Sequence, residues 1–273
     1  MLNLILIPLT LVTLIAASYT DIRTREVPDW LNYSLIAGAL GVRFIFSIEQ
    51  GWHIFVEGLL GFGIFFGLAL LFYHTNQWGG GDAKLLMGTG AVIGFSLPFS
   101  EQSLLLFWYF MLLLLVGSLW GLLFMIGIAM KQRVPLLSTL TKQKTLNIST
   151  LVFTALLLIT SLFIPLFLIL VPMPIFFYVL LTFVQLVEER CFKMSRPVSK
   201  LVEGDWLEKD VVVKGKTLLT KRTLEKKDLV FLKKHHVKEV FIKEGVPFVP
   251  GFLFAYVVFL FGDRIFPYVL SFF

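Results

Sequence analysis

The sequence predicts an all-α polytopic membrane protein with a small cytoplasmic α/β domain before its last helix. We expect about eight transmembrane helices, with six or seven as the lower alternatives. Three observations predict this. Of the 273 residues, 57% are hydrophobic and only 15% charged, and mean hydropathy is +0.85. A soluble domain carries about 25% charge. The charges that exist are separated by long uncharged runs. The positive excess is concentrated between Glu188 and Pro247, where 15 Lys/Arg face 10 Asp/Glu. A soluble enzyme, a disordered chain and a disulfide scaffold are excluded. The single cysteine, Cys191, excludes an internal disulfide and a cysteine-based metal site. The basic stretch fits a cytoplasmic segment beside a membrane better than a nucleic-acid surface, and we expect no nucleic-acid partner.

Each span follows from an uncharged run of about 20 residues. Residues 1–20 lack the positive start of a secretory signal and read as a retained first span. The next spans are predicted at 30–47, 54–74, 83–99 and 103–130. The run 145–187 is too long for one helix and contains Pro165, Pro172 and Pro174. Proline interrupts a helix interior, so it reads as two spans, 149–171 and 174–188, and the last span is 249–270. Positive residues favour the inner side. With the N-terminus outside, Arg23, Arg25, Lys131, Arg133, Lys142, Lys144 and the basic stretch all fall inside, while the outer loops carry Glu49 and Glu101. One bent helix over 145–187 would make seven spans and put the most basic segment outside. The expected organisation is a transmembrane core at 1–188, a soluble domain at 189–248 and a final helix at 249–273.

Within the soluble piece, Ser199–Val202, Val211–Val213 and Val237–Ile242 read as strands. Gly204-Asp205 and Lys214-Gly215 carry turn chemistry. Thr223 reads as the cap of a helix running to about His235.

Two carboxylates stand out. Asp21 ends the first span and Asp82 opens the fourth, directly after Gly79-Gly80-Gly81. The predicted topology puts both at one face and at similar depth. Close like charges cannot both ionise and so share a proton. Such a pair can activate water against an amide without metal or covalent intermediate. The glycines let a backbone approach an extended substrate. The bland alternatives are a flexible turn at the glycines, a helix cap at Asp82 and an interfacial charge at Asp21.

The segment Gly79-Gly80-Gly81-Asp82-Ala83-Lys84-Leu85 resembles the GxGD motif of membrane aspartic proteases, in the form used by the type IV prepilin peptidase family. Asp21-Ile22-Arg23, Arg25 and Val27-Pro28-Asp29-Trp30 resemble that family's companion aspartate motif. Lys243-Glu244-Gly245-Val246-Pro247-Phe248-Val249-Pro250 is similar to the segment leading into the last helix of its archaeal branch, the preflagellin and prepilin peptidases. The resemblance implies an aspartic endopeptidase in the cell membrane, multi-pass, with its active site at the cytoplasmic face. It implies Asp21 and Asp82 as catalytic residues. The implied substrates are preflagellin- or prepilin-type precursors, cut after a short basic leader. Bacterial members often carry paired Cys-x-x-Cys zinc motifs, which this chain lacks, and no methyl-donor site is expected.

Gly79, Gly80, Gly81, Pro247, Phe248, Val249 and Pro250 are the candidate substrate-binding residues. Pro250 also fits a simple helix start. Glu203, Asp205 and Glu208 are candidates for contact with a basic leader. We expect Lys84 to snorkel to the interface, Asp29 to cap the second helix, Arg43 and Glu57 to pair across adjacent spans, and His235-His236 not to bind metal. No cofactor and no metal are expected, and membrane lipids are expected partners. Two rival functions remain open on the residues: a presenilin or signal-peptide-peptidase type of intramembrane protease, and a proton-coupled transporter using Asp21 and Asp82. A structural membrane scaffold is the bland alternative.

Overall fold

In the computed structural model, residues 1–75, 77–135, 144–201, 204–213 and 216–270 are described. The chain is mostly helical, with a small region of strands towards the C-terminus. Among the described residues, five helical stretches are long and apolar enough to cross a membrane: Leu2–Thr24, Asp29–Gln50, His53–His74, Glu101–Lys131 and Pro165–Phe192. Shorter apolar helices occupy Ile148–Phe163 and Val249–Gly262. The chain is a multi-pass membrane protein. It divides into two compact units, Met1–Leu123 with Val246–Phe273, and Phe124–Gly245.

The first unit holds helices α1 (Leu2–Thr24), α2 (Asp29–Gln50), α3 (His53–His74), α4 (Gly80–Ile93), the larger part of α5 (Glu101–Lys131) and the final helix α9 (Val249–Leu270). Apolar side chains cover both the inside and much of the outside of this unit: Leu14, Leu35, Phe65, Leu85 and Phe252 are buried, whereas Ile15, Ile45, Leu71, Trp108 and Leu115 are exposed. That pattern suits a lipid surround, where burying apolar groups gives helices little reason to associate and close backbone packing does more. Small residues supply the close packing. A Cβ on Gly61 would lie 2.3 Å from the carbonyl oxygen of Gly90, and one on Gly88 would lie 2.7 Å from Leu35. The backbones of α3 and α4 are therefore in direct contact, with α2 wedged on α4 through Leu35.

Arg43 pins the far end of this packing. It is buried on α2 and donates to Ile54 O at 3.0 Å, Val92 O at 2.8 Å and Ile93 O at 3.0 Å. Its guanidinium sits in a notch left by Gly58 and Gly94. The two last carbonyls of α4 have no intrahelical partner of their own, so Arg43 closes that helix. Glu57 stands 3.9 Å away. The expected Arg43–Glu57 pairing is present, but the carbonyl bonds are the closer contacts.

The second unit contains α6 (Lys144–Phe163), a 3-10 turn at Pro165–Leu170 and α7 (Pro172–Val187). Two helices form as predicted, but the break comes earlier than the expected junction at 171–174. The first helix ends at Phe163, just before Pro165, whose ring removes a helix donor. Pro172 and Pro174 fall in the first turn of α7, where a missing N–H costs nothing. Lys142 lies outside the described residues. A short wide turn at Glu188–Phe192 leads into β1 (Lys193–Pro197). The strands β2 (Trp206–Leu207), β3 (Val211–Val213), β4 (Lys216–Leu219) and β5 (Glu239–Lys243) follow, with α8 (Lys226–Lys234) between the last two. β5 is central in an antiparallel sheet of order β1-β5-β2, and β3–β4 form a separate hairpin. Val198, Leu207, Leu224, Leu232, Val240 and Ile242 make its core.

Three local expectations shift here. Val198–Lys200 forms a 3-10 turn rather than a strand, because Pro197 ends β1 just before it; Val202 is outside the described residues. α8 is capped by Glu225, whose N–H is accepted by Asp228 Oδ2 at 3.0 Å, while Thr223 bridges to Trp206 instead. The turn predicted at Lys214-Gly215 lies outside the described residues.

Candidate active site

The C-terminal end of α1 and the N-terminal ends of α2, α4 and α9 meet at one end of the first unit. Asp21 sits one turn before the end of α1, and Arg25 stops that helix in the left-handed conformation, φ 62°. The Asp21 side chain is buried, 8% exposed. Its Oδ2 accepts the backbone N–H of Val249, the first residue of α9, at 3.0 Å. A helix N-terminus has donors without intrahelical partners, and here one of them is given to a carboxylate from the other end of the sequence.

Asp82 lies in the first turn of α4. Gly79 is extended, at φ −71° and ψ 165°, and is the N-cap. A Cβ on Gly79 would lie 3.6 Å from Asp82 Oδ2, so the carboxylate is turned back towards the start of the helix. Of the three glycines, Gly81 is the most constrained. A Cβ there would come within 3.1 Å of Val27, whereas on Gly80 the nearest atom would be 3.8 Å away. The missing side chain at Gly81 lets the first turn of α4 lie against the α1–α2 link.

The neighbouring polar groups tie the helix ends together. Lys84 Nζ meets Asp29 Oδ1 at 2.5 Å and stands 5.3 Å from the centre of the Tyr33 ring. This salt bridge joins α4 to the first turn of α2. Lys84 thus has a specific partner where interfacial snorkelling was expected, and Asp29 follows the N-cap, Pro28, instead of occupying it. The shared signal was a lysine and an aspartate, each in the first turn of a helix starting at the same level.

The segment before α9 is held closely. Pro247 O accepts Trp120 Nε1–H at 2.8 Å. The Phe248 ring lies where a Cβ on Gly117 would be, 2.5 Å from its Cζ. Its ring centre is 5.5 Å from that of Trp78, the residue preceding Gly79. Val249 and Pro250 are buried. The geometry thus gathers Asp21, Asp82, the glycines and residues 247–250 at one end of the unit. Sequence reading missed Trp78, Gly117 and Trp120, which carry no charge and show no periodic signal.

The leader-contact candidates already have partners. Glu208 lies 2.9 Å from Lys193 and 3.4 Å from Lys221. Asp205 lies 3.8 Å from Arg196. Glu203 is outside the described residues. His235 packs on Phe231, with ring centres 4.2 Å apart. Among the described residues no three His, Cys, Asp or Glu side chains gather as a metal ion would require.

With this geometry in place, comparison with known proteins is informative. Residues 9–126 match the model of the type IV leader peptidase family. Both aspartates and the glycine turn lie within the match. This stretch is similar to the type IV leader peptidase family. The chain is also similar to a preflagellin peptidase of Methanocaldococcus jannaschii, 31% identical over 81 residues, which is 29% of this chain and 34% of that protein. The chain thus matches about a third of the length of that curated relative. The α9 N-terminus, with its bond to Asp21, lies beyond the segment that the leader peptidase model covers.

Proposed function

We propose that the protein is a membrane aspartic endopeptidase of the GxGD type. It removes the short basic leader from preflagellin- or prepilin-like precursors at the cytoplasmic membrane face. The observation that carries this reading is the gathering of Asp21, the Gly79–Asp82 turn and the start of α9 at one end of the first unit, through the Asp21–Val249 bond and the Phe248–Trp78 contact. Both aspartates lie within the segment matching a leader peptidase family.

Asp21 and Asp82 act as a pair sharing one proton. The ionised carboxylate removes a proton from water, and the oxygen of that water attacks the scissile carbonyl carbon. The protonated carboxyl gives its proton to the developing oxyanion or the departing amine. The amide breaks and the leader leaves with the new carboxylate. The titration belongs to the pair and not to either residue. The scissile bond must be extended, because a helical amide is shielded by its own hydrogen bonds. Gly79, Gly80 and Gly81 leave room for that extended strand.

The chain spans the membrane eight times in this reading, with its N-terminus outside and both aspartates at the inner leaflet. Residues 189–248 form the cytoplasmic domain. The positive-inside distribution of Lys and Arg supports this orientation. The test is purified protein in lipid with a preflagellin-like precursor, the product mass being recorded. Loss of the leader, unaffected by chelator, is the expected result. Proton uptake in sealed vesicles with an intact precursor would favour a transporter and reject the peptidase.

A further inference from the structure

The residues leading into α9 do more than begin a helix. Phe248 fills a notch that exists only because Gly117 has no side chain: a Cβ at that position would lie 2.5 Å from Cζ and 2.6 Å from Cε2 of the ring. A second close approach lies beside it, where a Cβ on Gly251 would come within 2.7 Å of the Gly117 Cα. On its other side Phe248 meets Trp78, and Trp78 stacks on Phe72 with centres 4.7 Å apart. The preceding carbonyl, of Pro247, is held by Trp120 at 2.8 Å. The following amide, of Val249, is spent on Asp21.

Phe248 therefore touches the residue before the Gly79–Asp82 turn and immediately precedes the amide that binds Asp21. Pro247 and Pro250 flank it and have no N–H to offer elsewhere. Pro247 also has its φ fixed by its ring, which narrows the directions in which Phe248 can leave the notch.

We infer that Phe248 is a positioning residue: seated between Trp78 and Gly117, it holds the Val249 amide against Asp21 and sets the approach of Asp21 to Asp82. Its catalytic consequence rests on the peptidase reading above; the seating itself does not. The role differs from substrate binding, since the ring is engaged by the protein and the adjacent N–H is taken. Filling the notch and emptying the ring must have the same effect, because both release the α9 N-terminus.

The test uses the full chain in lipid nanodiscs and two readouts. The first is hydrogen exchange over residues 247–251, where the two prolines leave only the amides of Phe248, Val249 and Gly251 to report. F248A and G117L should speed exchange of this segment by about tenfold or more, because a buried hydrogen bond opens, while F248L, which still fills the notch, should stay near the wild type. The second is precursor cleavage. F248A and G117L should lower kcat by about 100-fold with KM little changed, as expected when reacting groups are misplaced and substrate binding is not. F248L should recover most of kcat. Unchanged exchange in F248A would overturn the seating. Faster exchange with full kcat would overturn the positioning role. Equal loss of kcat in F248A and F248L, with KM raised in both, would make Phe248 a substrate contact instead. If the wild type cleaves no precursor, the peptidase reading fails, and the exchange result still decides whether Phe248 seats the amide.

Discussion

The carboxylate of Asp21 accepts the backbone N–H of Val249, 228 residues further along the chain, at 3.0 Å. This bond closes the first unit: the end of its first helix is joined to the start of its last. It also makes the second unit an insertion between the elements that frame the candidate site, since Val249 follows the end of that unit at Gly245.

A tight turn at Gly81 is the first consequence open to test. G81L should lower precursor cleavage by about 100-fold through displacement of α4 from Val27, since small misplacements of reacting groups are costly. G63A, in α3 and outside the site, should be nearly silent, because a Cβ there would meet nothing within 4 Å. Turnover of the two variants, measured side by side, separates a close-packing requirement from a general need for flexibility.

The bond between Lys84 and Asp29 should contribute modestly, because Asp29 is well exposed. Side-chain exposures are 29% and 64%, and partly exposed ion pairs give about 0.2–1 kcal/mol. K84A, D29A and the double variant form a cycle readable by thermal unfolding in detergent. A coupling within that range is expected, and it should shrink in high salt.

Arg43 should matter far more for stability than its single charge suggests. R43A removes bonds to three carbonyls, and each one left buried without a partner costs about 1–3 kcal/mol. R43K should recover only part, since a lysine ammonium is a compact point donor and cannot reproduce the planar fork of a guanidinium. G94A should also destabilise, as its φ is 77° and a Cβ would strike Arg43 at 2.6 Å. Denaturation midpoints of the three variants measure this.

In the strand region of the second unit, the hydrogen bond from Lys193 and the nearby Lys221 hold the Glu208 carboxyl below its ordinary value of 4.5. A carboxylate favoured in the folded state adds stability above its unfolded value, and that stability is lost as pH falls through the folded value. E208Q should therefore lower stability at neutral pH and flatten the fall on acidification. Thermal melts of the full chain between about pH 7 and pH 3 record the difference.

Much of this was legible in residue patterns, and the limits have physical reasons. Uncharged runs revealed α1, α2, α3 and α5, because lipid tolerates little else. They also bounded α4, but Gly94 and Pro98 end it earlier than a charge count does: it stops at Ile93. That a break divides 145–187 was visible because proline acts locally, but its place was not: the first helix ends at Phe163, before Pro165, and not at 171. Asp21 and Asp82 stood out because carboxylates at span ends are costly. What stayed hidden depends on contacts between distant segments. Nothing local in Gly117 predicts Phe248, and nothing in Val249 predicts Asp21, since a backbone amide has no identity in a sequence. The Ser199–Val202 strand was a misreading because Pro197 had already ended the ladder and Val198–Lys200 turns.

The central claim is that Asp21 and Asp82 act as one catalytic unit. The most direct measurement is the rate of leader removal by D21N, D82N and the double variant, each checked for insertion and monodispersity. A unit that works only when complete loses nearly all its rate with either member, and loses little more with both. The account predicts single variants reduced by about 1,000-fold or more, with the double variant close to each of them. Near-normal cleavage by either single variant, or losses that multiply in the double, would contradict it.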